Sequence, residues 1–144
     1  MRTKYALPAI LAAAALMLTG CVDNSGPANP DSGGDTPAVG VDSAAVALLP
    51  DDIKSSGKLV IGIDPTYAPN EYKDESGNPI GWDVDLANEM AAKLGLKADY
   101  QISGFDKIIP SITGGTYDIG VSSFTDNAER EKQVDFVNYY NAGI

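Results

Sequence analysis

Lys58-Leu59-Val60-Ile61-Gly62-Ile63, followed at once by Asp64-Pro65-Thr66-Tyr67-Ala68-Pro69, is the passage on which the reading of the fold turns. Leu59 to Ile63 is a short, β-branched apolar run without polar alternation, the pattern of a parallel strand buried on both faces. The next six residues read as a loop at that strand's carboxyl end. Downstream, Glu75-Ser76-Gly77-Asn78-Pro79 carries turn chemistry between two short strands ending near Trp82. Val84, Ala87, Met90, Ala91 and Leu94 recur at helical spacing, with Asp83 expected as N-cap and Gly95 just past the end. Leu96–Ile102 reads as a strand, Phe105–Ile112 as a short helix limited or kinked by Pro110, Tyr117–Val121 as a strand, and 127–132 as a last short helix. This β-α-β-α-β order with short connections predicts an α/β fold: a mostly parallel sheet covered by helices. Ligands of such sheets sit outside the carboxyl ends of the strands.

Upstream of this passage the texture changes twice. Ser43–Leu49 predicts a short helix stopped by Pro50. Val22 to about Val41 holds Pro27, Pro30, Pro37, several glycines and almost no large apolar residue. Such a stretch cannot offset the entropy of ordering and is expected to be a flexible tether over residues 21–42. At the start, Arg2 and Lys4 precede an apolar run from Ala6 to Leu18, too short for a membrane span and shaped like a secretory signal over residues 1–20. Leu18-Thr19-Gly20-Cys21 resembles a bacterial lipobox, in which Cys21 becomes the lipidated first residue and lipid anchor of the mature protein. The expected layout is therefore signal peptide 1–20, tether 21–42 and domain 43–144.

Composition excludes several functions. The chain has 10 basic and 20 acidic residues, a net charge of −10. That surface repels phosphate backbones and anionic lipid, so no nucleic-acid partner is expected. Histidine is absent, which removes the usual neutral-pH general base and the commonest metal ligand. Cys21 is the single cysteine, so no disulfide or Cys-rich metal site can form beyond it. Asp83, Asp85 and Glu89 do not converge on one ion, because helical spacing separates Asp83 from Asp85 by about 200°. They read as a helix start and a solvated face. No metal or cofactor is expected.

The most informative stretch for chemistry is Ser122-Ser123-Phe124-Thr125-Asp126-Asn127-Ala128-Glu129-Arg130. Two serines and a threonine lie where a strand gives way to a helix N-terminus, a place whose free N–H groups and hydroxyls suit a carboxylate. Asp126 and Glu129 also have capping-box spacing, a purely structural use of part of this segment. Arg130 is the only arginine after residue 20; the other seven basic residues there are lysines. Its planar fork grips a carboxylate in two places, which lysine does poorly. Asp64, directly after a buried strand, either receives an ammonium or caps a turn. Tyr67, Trp82 and Phe105 are aromatics near loops.

Taken together, Lys58–Pro69, Gly81-Trp-Asp-Val-Asp-Leu-Ala87, Phe105-Asp-Lys-Ile-Ile-Pro110 and Tyr117–Thr125 with Arg130 closely resemble the family 3 extracellular solute-binding proteins of bacteria, the polar-amino-acid binders of ABC importers. The resemblance runs from about Lys58 to the last residue. It implies a periplasmic-binding-protein-like (type II) two-lobed α/β fold that closes on its ligand like a hinged clamp, with most of the first lobe in this chain. It also implies roles by position. Arg130 would hold the ligand α-carboxylate, helped by the Thr125 hydroxyl and by Ser123. Tyr67 and Phe105 would stack on the ligand side chain, Asp64 would meet a polar or cationic tip, and Ser122 would border the pocket. Asn70 stands where many relatives have phenylalanine.

The partners implied are a free amino acid and the membrane permease of an ABC-type importer, with the protein working as an extracytoplasmic, lipid-anchored monomer without catalysis. The chain ends at about the expected crossing into the second lobe, so half a cleft and feeble affinity are expected of residues 21–144 alone. Two other uses of the same fold, a ligand-sensing receptor module and a dehydratase-like enzyme, are the alternatives. An enzyme would need a positioned acid in the cleft, for which Asp64 is the candidate.

Overall fold

The structure, a computed structural model, describes residues 39–143. The signal peptide, Cys21 and most of the tether lie outside the described residues. A central strand β1 (Lys58–Ile63) is flanked by two parallel neighbours, β4 (Lys97–Ile102) and β5 (Ile119–Gly120), in the order β4-β1-β5. The register pairs Lys58 with Lys97 through Ile63 with Ile102, and Gly62 with Gly120. A small antiparallel hairpin, β2 (Tyr72–Lys73) and β3 (Pro79–Ile80), stands apart from this sheet. Its turn is closed by Asp74, whose Oδ1 accepts from the N–H groups of Ser76 and Asn78, with Gly77 in the left-handed region.

Helices cover both faces of β1. On one side α3 (Trp82–Lys93) packs Ala87 and Ala91 against Leu59, Ile61, Leu96 and Val121. On the other, α4 (Phe105–Thr113) lays Ile108 over Gly62 and Gly120. Ile61, Ile63 and Ile108 are fully buried; each such side chain contributes about 1.5–3 kcal/mol on leaving water. The end of α3 is a Schellman motif. Gly95 takes φ 69°, its N–H reaches the Ala92 carbonyl, and the Leu96 N–H reaches that of Ala91.

The chain departs from the sequence expectations at three of its elements. A helix α2 (Asp51–Ser56) follows α1 (Ser43–Leu48) after only two residues: Pro50 stops α1 but also stands at the N-cap of α2, a position proline tolerates. Helix α4, by contrast, keeps the expected span and ends one residue later, at Thr113, because a proline in a short helix removes one internal bond without ending the turn. Strand β5 is only two residues long. At its expected start the Asp118 N–H still bonds the Val60 carbonyl, but the Val60 N–H turns to the Asp118 carboxylate in place of a backbone carbonyl, and Tyr117 packs over Gly62. Finally α5 (Ala128–Glu131) is capped by Asn127, whose Oδ1 accepts from Glu129 and Arg130 N–H; Asp126 is one residue too early for that reach.

Candidate functional site

The carboxyl ends of β1 and β5 deliver the predicted residues to one place. Asp64, Tyr67, Phe105, Ser122 and Ser123 line a cavity of about 230 Å³, together with Thr66 and Glu71. Tyr67 and Phe105 are 59 % and 38 % exposed, so their rings are free to meet a ligand. Asp64 turns out to cap: its Oδ2 accepts from the Phe105 N–H at 2.8 Å, holding the start of α4. A carboxylate has further lone pairs, so this bond does not exhaust its capacity to accept from a cation. The Asp64 N–H in turn donates to Ser122 Oγ at 3.0 Å, which ties the ends of β1 and β5 together.

Thr125 and Arg130 are not among the residues lining that cavity; they stand at its margin through Phe105. The Arg130 guanidinium lies 5.2 Å from the Phe105 ring centre and 5.4 Å from that of Phe124. The two rings stack on each other at 4.3 Å. One guanidinium nitrogen donates to the Thr125 carbonyl at 2.7 Å, so it is the Thr125 backbone, not its hydroxyl, that orients the arginine. Cation–π contact on a planar face favours arginine over lysine here. Phe124 was not singled out from sequence; its place between two serines and a threonine in the strand-to-helix loop was the available signal.

Behind the cavity the structure shows a polar cluster that sequence reasoning missed. Asp83 is not the N-cap of α3, which is Gly81, nor on a solvated face: it is completely buried. Gly81 takes φ 121° and the Asp83 N–H bonds the Asn70 carbonyl, which turns the start of α3 inward toward the Ser122–Ser123 turn. Asp83 Oδ2 accepts from the Ser123 N–H, the Ser123 hydroxyl and the Tyr139 hydroxyl at 3.0–3.1 Å. Glu71, 1 % exposed, accepts from Ser122 Oγ at 3.2 Å, and its Oε2 lies 2.9 Å from Ser123 Oγ. Burial pushes its carboxyl up to about 7, hydrogen bonds from Ser123 and Ser122 oppose this, and the neighbouring Asp83 adds to it. Burial and the Asp83 charge also raise the Tyr139 hydroxyl well above its usual range.

Asn70 completes the cluster. Trp82 Nε1–H donates to its Oδ1 at 2.9 Å, and its Nδ2 donates to Ser123 Oγ at 2.8 Å and to the Tyr140 hydroxyl at 3.1 Å. Ser123 itself adopts φ 47°, the one non-glycine left-handed residue described. Its N–H and hydroxyl are engaged by the protein's own acids. A second cavity, of about 640 Å³ and mostly apolar, lies under residues 133–140 against β5 and shares only Ser122 with the predicted set. Among the described residues no cluster of metal-ligating side chains occurs, and no helix is long and apolar enough to cross a membrane.

Known proteins similar to this chain share its fold. The arginine-binding protein ArgT of Corynebacterium glutamicum is 37 % identical over 134 residues, 93 % of this chain and 44 % of the relative. The lysine/arginine/ornithine-binding periplasmic protein of Escherichia coli is 36 % identical over 100 residues, 68 % of this chain and 36 % of the relative. The chain thus spans less than half the length of these curated relatives. Among solved structures, the arginine-bound form of a variant of domain 1 from TmArgBP superposes with a TM-score of 0.62 at 40 % identity, covering 65 % of this chain and 73 % of that one. The fold is accordingly part of one lobe of the type II two-lobed α/β fold. Residues 59–144 match the model of the bacterial extracellular solute-binding proteins, family 3, and the chain belongs to that family.

Proposed function

We propose that this protein captures a free cationic amino acid of the arginine class outside the cytoplasm and delivers it to an ABC-type importer. The observation that supports the reading is that Asp64, Tyr67, Phe105, Ser122 and Ser123 line one cavity, with Arg130 beside it against the Phe105 ring. Arg130, stacked on Phe105 and Phe124, faces the ligand's α-carboxylate, and Asp64 at the end of β1 faces the cationic tip of its side chain. Tyr67 and Phe105 stack on the aliphatic stem. The Thr125 carbonyl orients Arg130 toward the carboxylate side, Ser123 shapes the turn that carries Thr125, and Ser122 borders the pocket. Capture proceeds without chemistry: the ligand docks on this lobe, a second lobe closes over it, and binding favours the closed form. Relatives named for arginine, lysine and histidine binding support the ligand class.

The cellular setting rests on sequence. A signal peptide over 1–20, lipidation at Cys21 and a tether over 21–42 would hold the domain 43–144, as a monomer, beside the permease. The test is a thermal-shift and calorimetric survey of the twenty L-amino acids. Arginine, lysine or histidine should stabilise the protein and acidic or apolar ones should not; a response confined to glutamate, or to none, refutes the reading. Half a cleft should bind weakly, and a submicromolar dissociation constant for residues 21–144 alone would refute that part. The arginine-bound domain 1 from TmArgBP supports expecting some retained binding on a single lobe.

A further inference from the structure

Counting protons around Ser123 leads beyond the ligand contacts. Trp82 Nε1–H is a donor only, so Asn70 must present its oxygen to Trp82 and its amide N–H to Ser123. Ser123 Oγ therefore accepts from Asn70, and it has a single proton of its own. Yet it sits 2.9 Å from Glu71 Oε2 and 3.0 Å from Asp83 Oδ2. Two oxygen–oxygen contacts at hydrogen-bond distance need two protons. The second must belong to one of the acids, which meet at the same hydroxyl. Among the described residues no ion pair includes either acid, so no cation offsets a second negative charge. The other groups facing the pair are the hydroxyls of Ser122 and Tyr139 and, around the cavity that Glu71 lines, Asp64 and Tyr67.

We propose that Asn70 and the Glu71–Asp83 pair are positioning residues for the amino-acid site: the pair holds one proton, and this locks Ser123 in its left-handed conformation so that the Ser122–Thr125 turn is set for ligand. The proposal rests on the function argued above. Asn70 supplies the direction, because its amide cannot turn over without breaking the Trp82 bond. Glu71 carries the proton, being the acid that burial raises. Loss of that proton leaves two carboxylates against one hydroxyl. The cheapest relief is for the turn to swing away, which displaces Thr125 and with it the carbonyl that orients Arg130. Ligand binds to the locked turn, so affinity falls as the proton is lost.

The test measures arginine affinity from about pH 5.5 to 8, over which the ligand's guanidinium and carboxylate keep their charges and the titration of its α-amino group is corrected for, alongside Trp82 emission without ligand. Trp82 is the single tryptophan of the chain and is bonded to Asn70, so its emission should titrate with a midpoint near that of Glu71. Affinity should fall across the same range by about tenfold per pH unit at most. Glu71→Gln supplies a permanent N–H in place of the carboxyl proton; it should keep the low-pH affinity and flatten both profiles. Asn70→Asp, which replaces a donor with an acceptor, should weaken binding by about tenfold. A merely structural cluster would change stability in these variants without altering the pH profile. Flat Trp82 emission in a chain that binds arginine, or an unchanged slope in Glu71→Gln, overturns the proposal and leaves the function intact. A titrating Trp82 in a chain that binds no amino acid refutes the function and leaves the locked turn standing.

Discussion

Replacing Arg130 by lysine separates recognition from stability, because the charge is kept while the planar fork is lost. For the folded state, the guanidinium makes two aromatic contacts, to Phe105 and Phe124, and one hydrogen bond to the Thr125 carbonyl. At a half-exposed site each cation–π contact is worth about 0.5–1 kcal/mol, and an ammonium retains part of that. The expected destabilisation is about 1 kcal/mol, or a fall in Tm of about 4–8 °C for a domain of this size. For binding, the loss is one charge-assisted hydrogen bond to the ligand carboxylate, about 1.5–3 kcal/mol, which is roughly a 10- to 150-fold weaker affinity. Calorimetric titration with arginine and a thermal melt on the same preparation read both quantities. An affinity within about threefold of wild type would refute the assignment of Arg130 to the carboxylate. A collapse of Tm far beyond the expected fall would instead make Arg130 a structural residue of the Phe105–Phe124 stack.

Two further outcomes follow from packing and titration. A methyl added at Gly120 would stand 2.7 Å from Ile108 Cγ2, so Gly120→Ala should cost about 1–3 kcal/mol by overpacking. Ile108→Ala alone should cost about 2–5 kcal/mol, and the double variant at least about 1 kcal/mol less than the sum, read by urea unfolding; strict additivity would show that the two do not touch. Glu71 has its folded carboxyl raised from 4.5 to about 7, so the folded state keeps a proton that the unfolded chain has lost. The associated stability is present below pH 4.5 and is lost as pH rises to about 7. Denaturation midpoints should decline across that window in wild type and not in Glu71→Gln; parallel profiles would refute the shift.

The residues that were legible in sequence are those whose local chemistry and tertiary place agree. Leu59–Ile63 reads as a buried strand and is one, because its apolar run has both α3 and α4 to cover it. Gly95 ends α3 as its conformational freedom suggests. The loop residues Asp64, Tyr67, Ser122 and Ser123 meet because parallel strands must present their carboxyl ends together. What stayed hidden depends on long-range partners. Helical spacing puts Asp83 on the face of Ala87 and Ala91, away from Asp85 and Glu89, but the partners that hold a carboxylate there, Ser123 and Tyr139, come from far along the chain. Glu71, in an irregular loop, belongs to no periodic pattern. Asn70 stood out from sequence only as a departure from its relatives; its bonds to Trp82, Ser123 and Tyr140 span up to 70 positions.

Gly62 and Gly120 lie side by side in the register of β1 and β5; the Tyr117 ring fills the space over Gly62, and Ile108 comes down on Gly120. The two form a trough in which α4 reaches the sheet backbone through Ile108, with Tyr117 packed alongside. Phe105 is the first residue of that helix, so one wall of the cleft is referenced to a hard stop rather than to a compressible layer of side chains. Retuning the ligand preference of this protein therefore has two unlike handles. Exchanging residues on the rim would change selectivity by degrees while the wall stays put. Filling the trough would lift the whole wall at once, carrying with it Phe105 and the aromatic seat of Arg130, so the trough is where small genetic changes would have abrupt functional effects.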